Sequence, residues 1–153
     1  MPTKEDALER VNAADFFFKK MKTAKKREYQ NYYFWACLNT LYTSWNYIKC
    51  LNVQFYDKYK NDPKITHWIS KKKGNTIRGL DVHKEPKKLG KNYRAPKKIP
   101  PPKIIQANGR AITFYSIQLQ EKDAEYYVGP DRTREIKREL KELILLFRNA
   151  LSQ

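Results

Sequence analysis

Two residues in this 153-residue chain could together do acid–base chemistry on a phosphate. Arg78 and His83 stand five positions apart in the run W-I-S-K-K-K-G-N-T-I-R-G-L-D-V-H-K-E-P, from Trp68 to Pro86. Histidine is the side chain whose ordinary pKa lets it take or give a proton near neutral pH. Arginine carries a permanent charge on a planar fork that matches phosphate oxygens. Without any metal, such a pair can cleave RNA. The imidazole removes the proton of a ribose 2′-hydroxyl, and the guanidinium holds the charge that builds on the phosphate. The expected product is a 2′,3′-cyclic phosphate, and DNA, which lacks that hydroxyl, survives. The same two residues also fit a blander reading, a capping and packing pair at a helix end.

Spacing constrains how the pair could meet. Five residues of regular helix turn through about 500°, which leaves the two side chains about 140° apart. Either the helix is distorted near Gly79, or the residues reach into a groove from its two flanks. A groove on a two-fold dimer axis satisfies the second option, with two copies of each residue converging.

The elements that must carry this segment can be read in order. Thr3 followed by Asp6 resembles a capping box. Ala7, Val11, Ala14, Phe17/Phe18 and Met21 then recur at helical steps to about Lys25. From Glu28 to about Tyr59, Phe34, Cys37/Leu38, Leu41, Trp45, Ile48 and Leu51 form one stripe, predicting a long helix with a kink near Asn52. Residues 29–48 hold no charge and would be long enough to cross a bilayer. Gln30, Asn31, Asn39, Thr43 and Asn46 are costly in hydrocarbon, so a buried central helix is expected, and no membrane partner. Asp62-Pro63 predicts a third helix start, with Ile65, Trp68, Ile69, Ile77 and Leu80 on its buried side and Pro86 ending it.

Residues 86–103 hold five of the eight prolines and read as a mobile basic loop. Alternation on either side of Asn108-Gly109 predicts a hairpin, with a short strand at Glu125–Val128 after it. A last helix is expected from Arg132 to about Leu151. The fold class is therefore mainly α, a bundle of about four helices forming one domain over residues 1–153. A basic Pro-rich loop and a β-hairpin, about residues 87–129, are inserted before the last helix.

Charge narrows the partners. The net charge is +16, from 32 Lys and Arg against 16 Asp and Glu. Residues 1–70 carry +5, residues 71–103 carry +10 and residues 104–153 carry +1. A +10 excess this dense favours a polyanion, and RNA is the expected partner; an acidic membrane surface or an acidic protein would also satisfy it. Lys71, Lys72, Lys73, Lys84, Lys87 and Lys88 are the candidate phosphate contacts. Tyr93 and Tyr115 are candidates to stack on bases, with packing as the plainer role. His67, beside Trp68, reads as a surface or half-buried residue rather than a base. Cys37 and Cys50 sit in apolar helical sequence, with no zinc spacing or disulfide framework. The acidic N-terminus lacks an apolar signal region, so a cytoplasmic location is expected. No Walker-type glycine loop, H-E-x-x-H or G-x-S-x-G occurs, and neither a cofactor nor a metal is expected.

A helix, a long aromatic second helix, an Asp-Pro restart, a Trp and then I-R-G-L-D-V-H before a proline resemble the HEPN family (higher eukaryotes and prokaryotes nucleotide-binding). The resemblance covers about residues 4–86 and the final helix. The small prokaryotic members of that family are helical bundles with an Arg, four intervening residues and a His. It implies that Arg78 and His83 are catalytic residues of a metal-independent endoribonuclease, lying in the cleft of a homodimer. It further implies a toxin or a phage-defence component, with an antitoxin protein as a second partner. The family usually places a polar residue directly after the arginine, where this chain has Gly79; Asn75 and Asp81 are the residues here that could supply that support. Some members of the family bind without catalysis, and the alternative is a non-catalytic module that holds RNA or a protein through the 71–103 band.

Overall fold

The structure is a computed structural model, and it describes residues 1–70, 76, 89–93, 103–114, 124–128 and 134–152. Among these it is mainly helical, with five helices and four short strands. The helices are α1 (Lys4–Thr23), α2 (Arg27–Leu51), α3 (Val53–Tyr59), α4 (Pro63–Trp68) and α5 (Ile136–Ser152). The strands are β1 (Leu89–Tyr93), β2 (Lys103–Ala107), β3 (Arg110–Phe114) and β4 (Ala124–Val128). No helix among the described residues is long and apolar enough to cross a membrane.

Local sequence explains most helix starts. Thr3 and Asp6 close a reciprocal capping box: the Asp6 amide donates to Thr3 Oγ1 (3.1 Å), and the Thr3 amide donates to Asp6 Oδ2 (2.8 Å). The kink falls at Asn52, whose φ of −141° and ψ of 77° leave the helical region. Its side chain accepts from the Phe55 amide (3.0 Å) and so starts α3, while its Nδ2 donates to the Ala150 carbonyl of α5 (3.2 Å). One side chain thus restarts a helix and ties it to another. Asp62 Oδ1 accepts from the Lys64 amide (2.8 Å), with Pro63 as the first helical residue, as that pair of residue types favours.

The core lies where α1, α2 and α5 meet. Ala7 and Ala14 on α1 let the helices approach closely, and Val11, Phe18 and Met21 continue the same buried stripe. From α2 come Phe34, Leu38, Leu41, Trp45 and Ile48; from α5 come Leu140, Leu143, Ile144 and Phe147. Trp45 stacks on Phe147, with ring centres 5.5 Å apart and planes 16° from parallel. The polar residues of α2 are accommodated by internal bonds. Thr40, Thr43 and Ser44 each donate to the carbonyl four residues back. Buried Gln30 donates to the Ala24 carbonyl (2.7 Å) and to the Tyr126 hydroxyl (3.2 Å), joining the α1–α2 connection to β4.

Three expectations are corrected. The third helix does not run on towards Pro86: α4 stops at Trp68. The Ile69 and Ser70 amides both close back on the Ile65 carbonyl (3.0 and 2.9 Å), and Thr76, buried and outside any helix, donates to the Ile69 carbonyl (3.4 Å). The helix that carries Trp68 therefore ends before the segment that holds Arg78 and His83. Within the stretch read as a basic loop, Leu89–Tyr93 is a strand. It pairs antiparallel with β4, Leu89 opposite Val128 and Tyr93 opposite Ala124. That pairing joins residues some 35 positions apart, which no local pattern announces. Finally, α5 begins at Ile136 rather than Arg132, because Glu135 caps it. One Glu135 oxygen accepts from the Arg138 amide (2.8 Å) and the other from the Tyr126 amide (3.0 Å).

The hairpin forms where alternation places it. β2 and β3 pair antiparallel, Lys103 with Phe114 and Ala107 with Arg110. Asn108 and Gly109 turn the chain at φ of 52° and 72°, the left-handed conformation that this dipeptide tolerates and most others do not.

Candidate nucleic-acid interface

The residues expected to carry chemistry, Arg78 and His83 with Asn75 and Asp81, lie outside the described residues. So do Lys71, Lys72, Lys73, Lys84, Lys87 and Lys88, and Tyr115. Tyr93 is the last residue of β1. Among the described residues, α4 ends at Trp68 on one side of the Arg78–His83 segment and β1 begins at Leu89 on the other.

The α4 side of that segment is anchored by a buried polar cluster. Trp68 is enclosed in the core, meeting Phe34 edge to face at 6.2 Å between ring centres. Its indole N–H donates to Glu139 Oε2 on α5. Glu139, only 7% exposed, also accepts from Arg134, whose Nη1 lies 3.1 Å from each carboxylate oxygen. A buried carboxylate with two donors is satisfied rather than reactive. The cluster is therefore a fastening for the end of α4. His67 is half-buried and stands edge to face on Trp68 at 4.5 Å, a packing arrangement.

Cys37 is buried, and burial pushes its thiol pKa far up, so it is an inert core residue. Among the described residues, no group of three or more His, Cys, Asp or Glu is arranged to hold a metal ion.

A second basic surface, unanticipated from the sequence, lies at the corner between α1 and α2. Lys19, Lys20, Lys22, Lys25, Lys26 and Arg27 fall within nine residues, and Glu28 is the acidic residue that follows. Lys19 pairs with Asp15 (2.8 Å). Lys20, Lys22 and Lys26 instead lie over aromatic faces: Phe16 at 5.5 Å, Phe18 at 4.6 Å and Tyr29 at 5.6 Å from ring centre to ammonium. Phe18 belongs to the core, but Phe16, Tyr29 and Tyr32 are 53%, 48% and 58% exposed. The signal was present in the helical phase. Phe16 falls on the side of α1 opposite Ala7, Val11 and Phe18, and Tyr32 falls opposite Phe34 and Leu41 on α2.

No known protein family, curated protein or solved structure matches this chain.

Proposed function

We propose that this chain is a metal-independent endoribonuclease of the HEPN type, working as a cytoplasmic homodimer. The observation that carries the reading is one segment. Arg78 and His83, five residues apart, lie in the stretch 71–103 that holds +10 of the net charge of +16. The mainly helical frame and the anchored end of α4 at Trp68 support it, because they give that segment a firm point of departure.

In this reading His83 takes the proton of a ribose 2′-hydroxyl. The freed oxygen attacks the adjacent phosphorus, and the bond from phosphorus to the 5′-oxygen breaks. The leaving oxygen takes up a proton and departs as a 5′-hydroxyl, with a 2′,3′-cyclic phosphate on the other fragment. Arg78 neutralises the charge on the phosphate as it develops. Lys71–Lys73 and Lys84, Lys87 and Lys88 hold the strand by its backbone, with Asn75 or Asp81 in the supporting polar role. The biological setting that goes with this chemistry is a toxin or phage-defence component, with an antitoxin protein as partner.

Gly79, where the family usually has a polar residue, favours a second reading: a non-catalytic module that grips RNA or a protein through the same band. One gel separates the two. Labelled RNA incubated with the purified chain, with and without EDTA, should be cut in both lanes. His83→Ala and Arg78→Ala should each abolish cutting while leaving the circular dichroism spectrum unchanged. Cutting that survives either change, or that requires magnesium, rules out the mechanism. A retarded but intact RNA, released steeply by salt, selects the binding module.

A further inference from the structure

We propose that the α1–α2 corner is a stacking platform for single-stranded nucleic acid, a second contact surface distinct from the 71–103 band. The inference rests on the nucleic-acid reading above for the identity of its ligand, but on separate residues. Phe16, Tyr29 and Tyr32 expose half or more of their surfaces to water, or nearly so, and Tyr29 and Tyr32 sit side by side with ring centres 6.3 Å apart. Rings placed this way contribute little to the core, whose stripe on each helix is already filled. Flat faces open to solvent beside ammonium groups are what a single strand needs: bases stack on the rings while phosphates meet the lysines.

The charges at the corner are disposed for such a ligand. Among the described residues, no carboxylate pairs with Lys20, Lys22, Lys25 or Lys26, and the acidic neighbours are otherwise engaged. Asp15 is held by Lys19 and Arg148, and Glu28 accepts from the Tyr32 hydroxyl (2.6 Å). Two of the lysines rest over the exposed rings themselves, a cation–π contact that an incoming base and phosphate replace by stacking and by an ion pair. By helix rise, Phe16 is about 10 Å from the end of α1 and Tyr32 about 7 Å from the start of α2. Only three residues join the helices, so a strand stacked on Tyr29 and Tyr32 lies beside the corner lysines, and Phe16 offers a further face on α1.

A lipid surface would also attract the lysines, but an interfacial helix lays a continuous apolar face into the bilayer, whereas the apolar stripes of α1 and α2 are turned into the core. Between Lys19 and Glu28 the aliphatic residues are Met21, which is in the core, and half-buried Ala24. Duplex nucleic acid keeps its base faces stacked internally and cannot use the rings. Stacking engages ring faces, which every base has, so the platform takes a strand with little regard to sequence.

The test uses the full chain and fluorescein-labelled oligo(dT) of about 15 nucleotides, within the span such surfaces cover and resistant to the cleavage proposed above. The triple variant Phe16→Ala/Tyr29→Ala/Tyr32→Ala should bind it about tenfold or more weakly, while a duplex of the same length binds nearly as before. Tyr29→Phe/Tyr32→Phe should retain the binding, since the faces remain. Lys20→Gln/Lys22→Gln/Lys26→Gln should lower the slope of log affinity against log salt by about two. If the unaltered chain binds the oligonucleotide and the triple alanine variant binds it equally well, the platform is overturned while the nucleic-acid reading stands. If the unaltered chain binds neither the oligonucleotide nor the duplex, the platform is overturned, and the RNA gel described above decides the nucleic-acid reading separately. Binding to phosphatidylserine vesicles in place of oligonucleotide would overturn the platform in favour of a membrane surface.

Discussion

The Glu139 carboxylate lies in the core between an indole and a guanidinium, and each of the three groups is there because of the others. A charge taken out of water costs several kcal/mol unless it is paired and hydrogen-bonded. Here Trp68 donates to one oxygen and Arg134 to both, so no lone charge is buried. Glu139→Ala leaves the indole N–H and a quarter-exposed guanidinium without their acceptor, and should cost about 3 kcal/mol of unfolding free energy. Trp68→Phe removes a donor but leaves the ion pair, and should cost about 1–2 kcal/mol from the lost bond and volume together. Urea unfolding of the two variants checks the order. Equal effects would mean that the indole, not the carboxylate, is the indispensable member. Nothing in a one-dimensional reading pairs position 68 with position 139. The tryptophan was legible as a buried anchor, but the reason a glutamate stands on the apolar side of α5 was not.

At the scale of elements, α1 is pinned to α5 by Asp15, which accepts from Arg148 (3.0 Å) as well as from Lys19. Burial alone would raise the Asp15 pKa, but the hydrogen bonds from Lys19 and Arg148 outweigh it and hold the carboxyl below its ordinary value. A carboxyl with a lowered native pKa adds stability that is complete above its unfolded pKa of about 4, and that fades as pH falls through the native value. Asp15→Asn should therefore be less stable than the unaltered chain by about 1–2 kcal/mol at pH 7, and the gap should shrink between pH 4 and pH 2. Urea midpoints across that range measure it. A gap that persists undiminished at pH 2 would assign the effect to shape rather than to charge.

Legibility of the fold follows the same division between near and far. The capping box at Thr3, the break at Asn52, the Asp62-Pro63 start and the Asn108-Gly109 turn are decided within four residues, and the sequence shows all of them. The stop of α4, the strand at Leu89–Tyr93 and the late start of α5 involve partners beyond that reach: Thr76, seven residues from Ile69, β4 on β1, and Glu135, nine residues from Tyr126. Of the site, the Arg78–His83 segment was singled out by residue type and lies outside the described residues. At the corner of α1 and α2 the lysines read in sequence as a helix end, although Phe16 is out of phase with the buried stripe.

At the scale of the whole molecule, a net charge of +16 on 153 residues is a standing repulsion that folding concentrates. The unfolded chain spreads the same charges over a much larger volume, so the repulsion weighs more heavily on the native state. Added salt shortens the screening length from about 30 Å at 0.01 M to about 8 Å at 0.15 M, less than the width of the fold. The thermal midpoint should accordingly rise between those salt concentrations, by about 2–8 °C if screening relieves about 1–2 kcal/mol. If the chain binds RNA as proposed, that affinity moves the opposite way over the same range, because cations of the added salt compete with the lysines for the strand. Calorimetry and gel retardation in matched buffers thus test one cause through two slopes of opposite sign. A midpoint that stays flat or falls as salt is added would mean that the cations are already compensated by neighbouring carboxylates in the folded chain. A surface compensated in that way would have little net attraction left for a phosphate backbone.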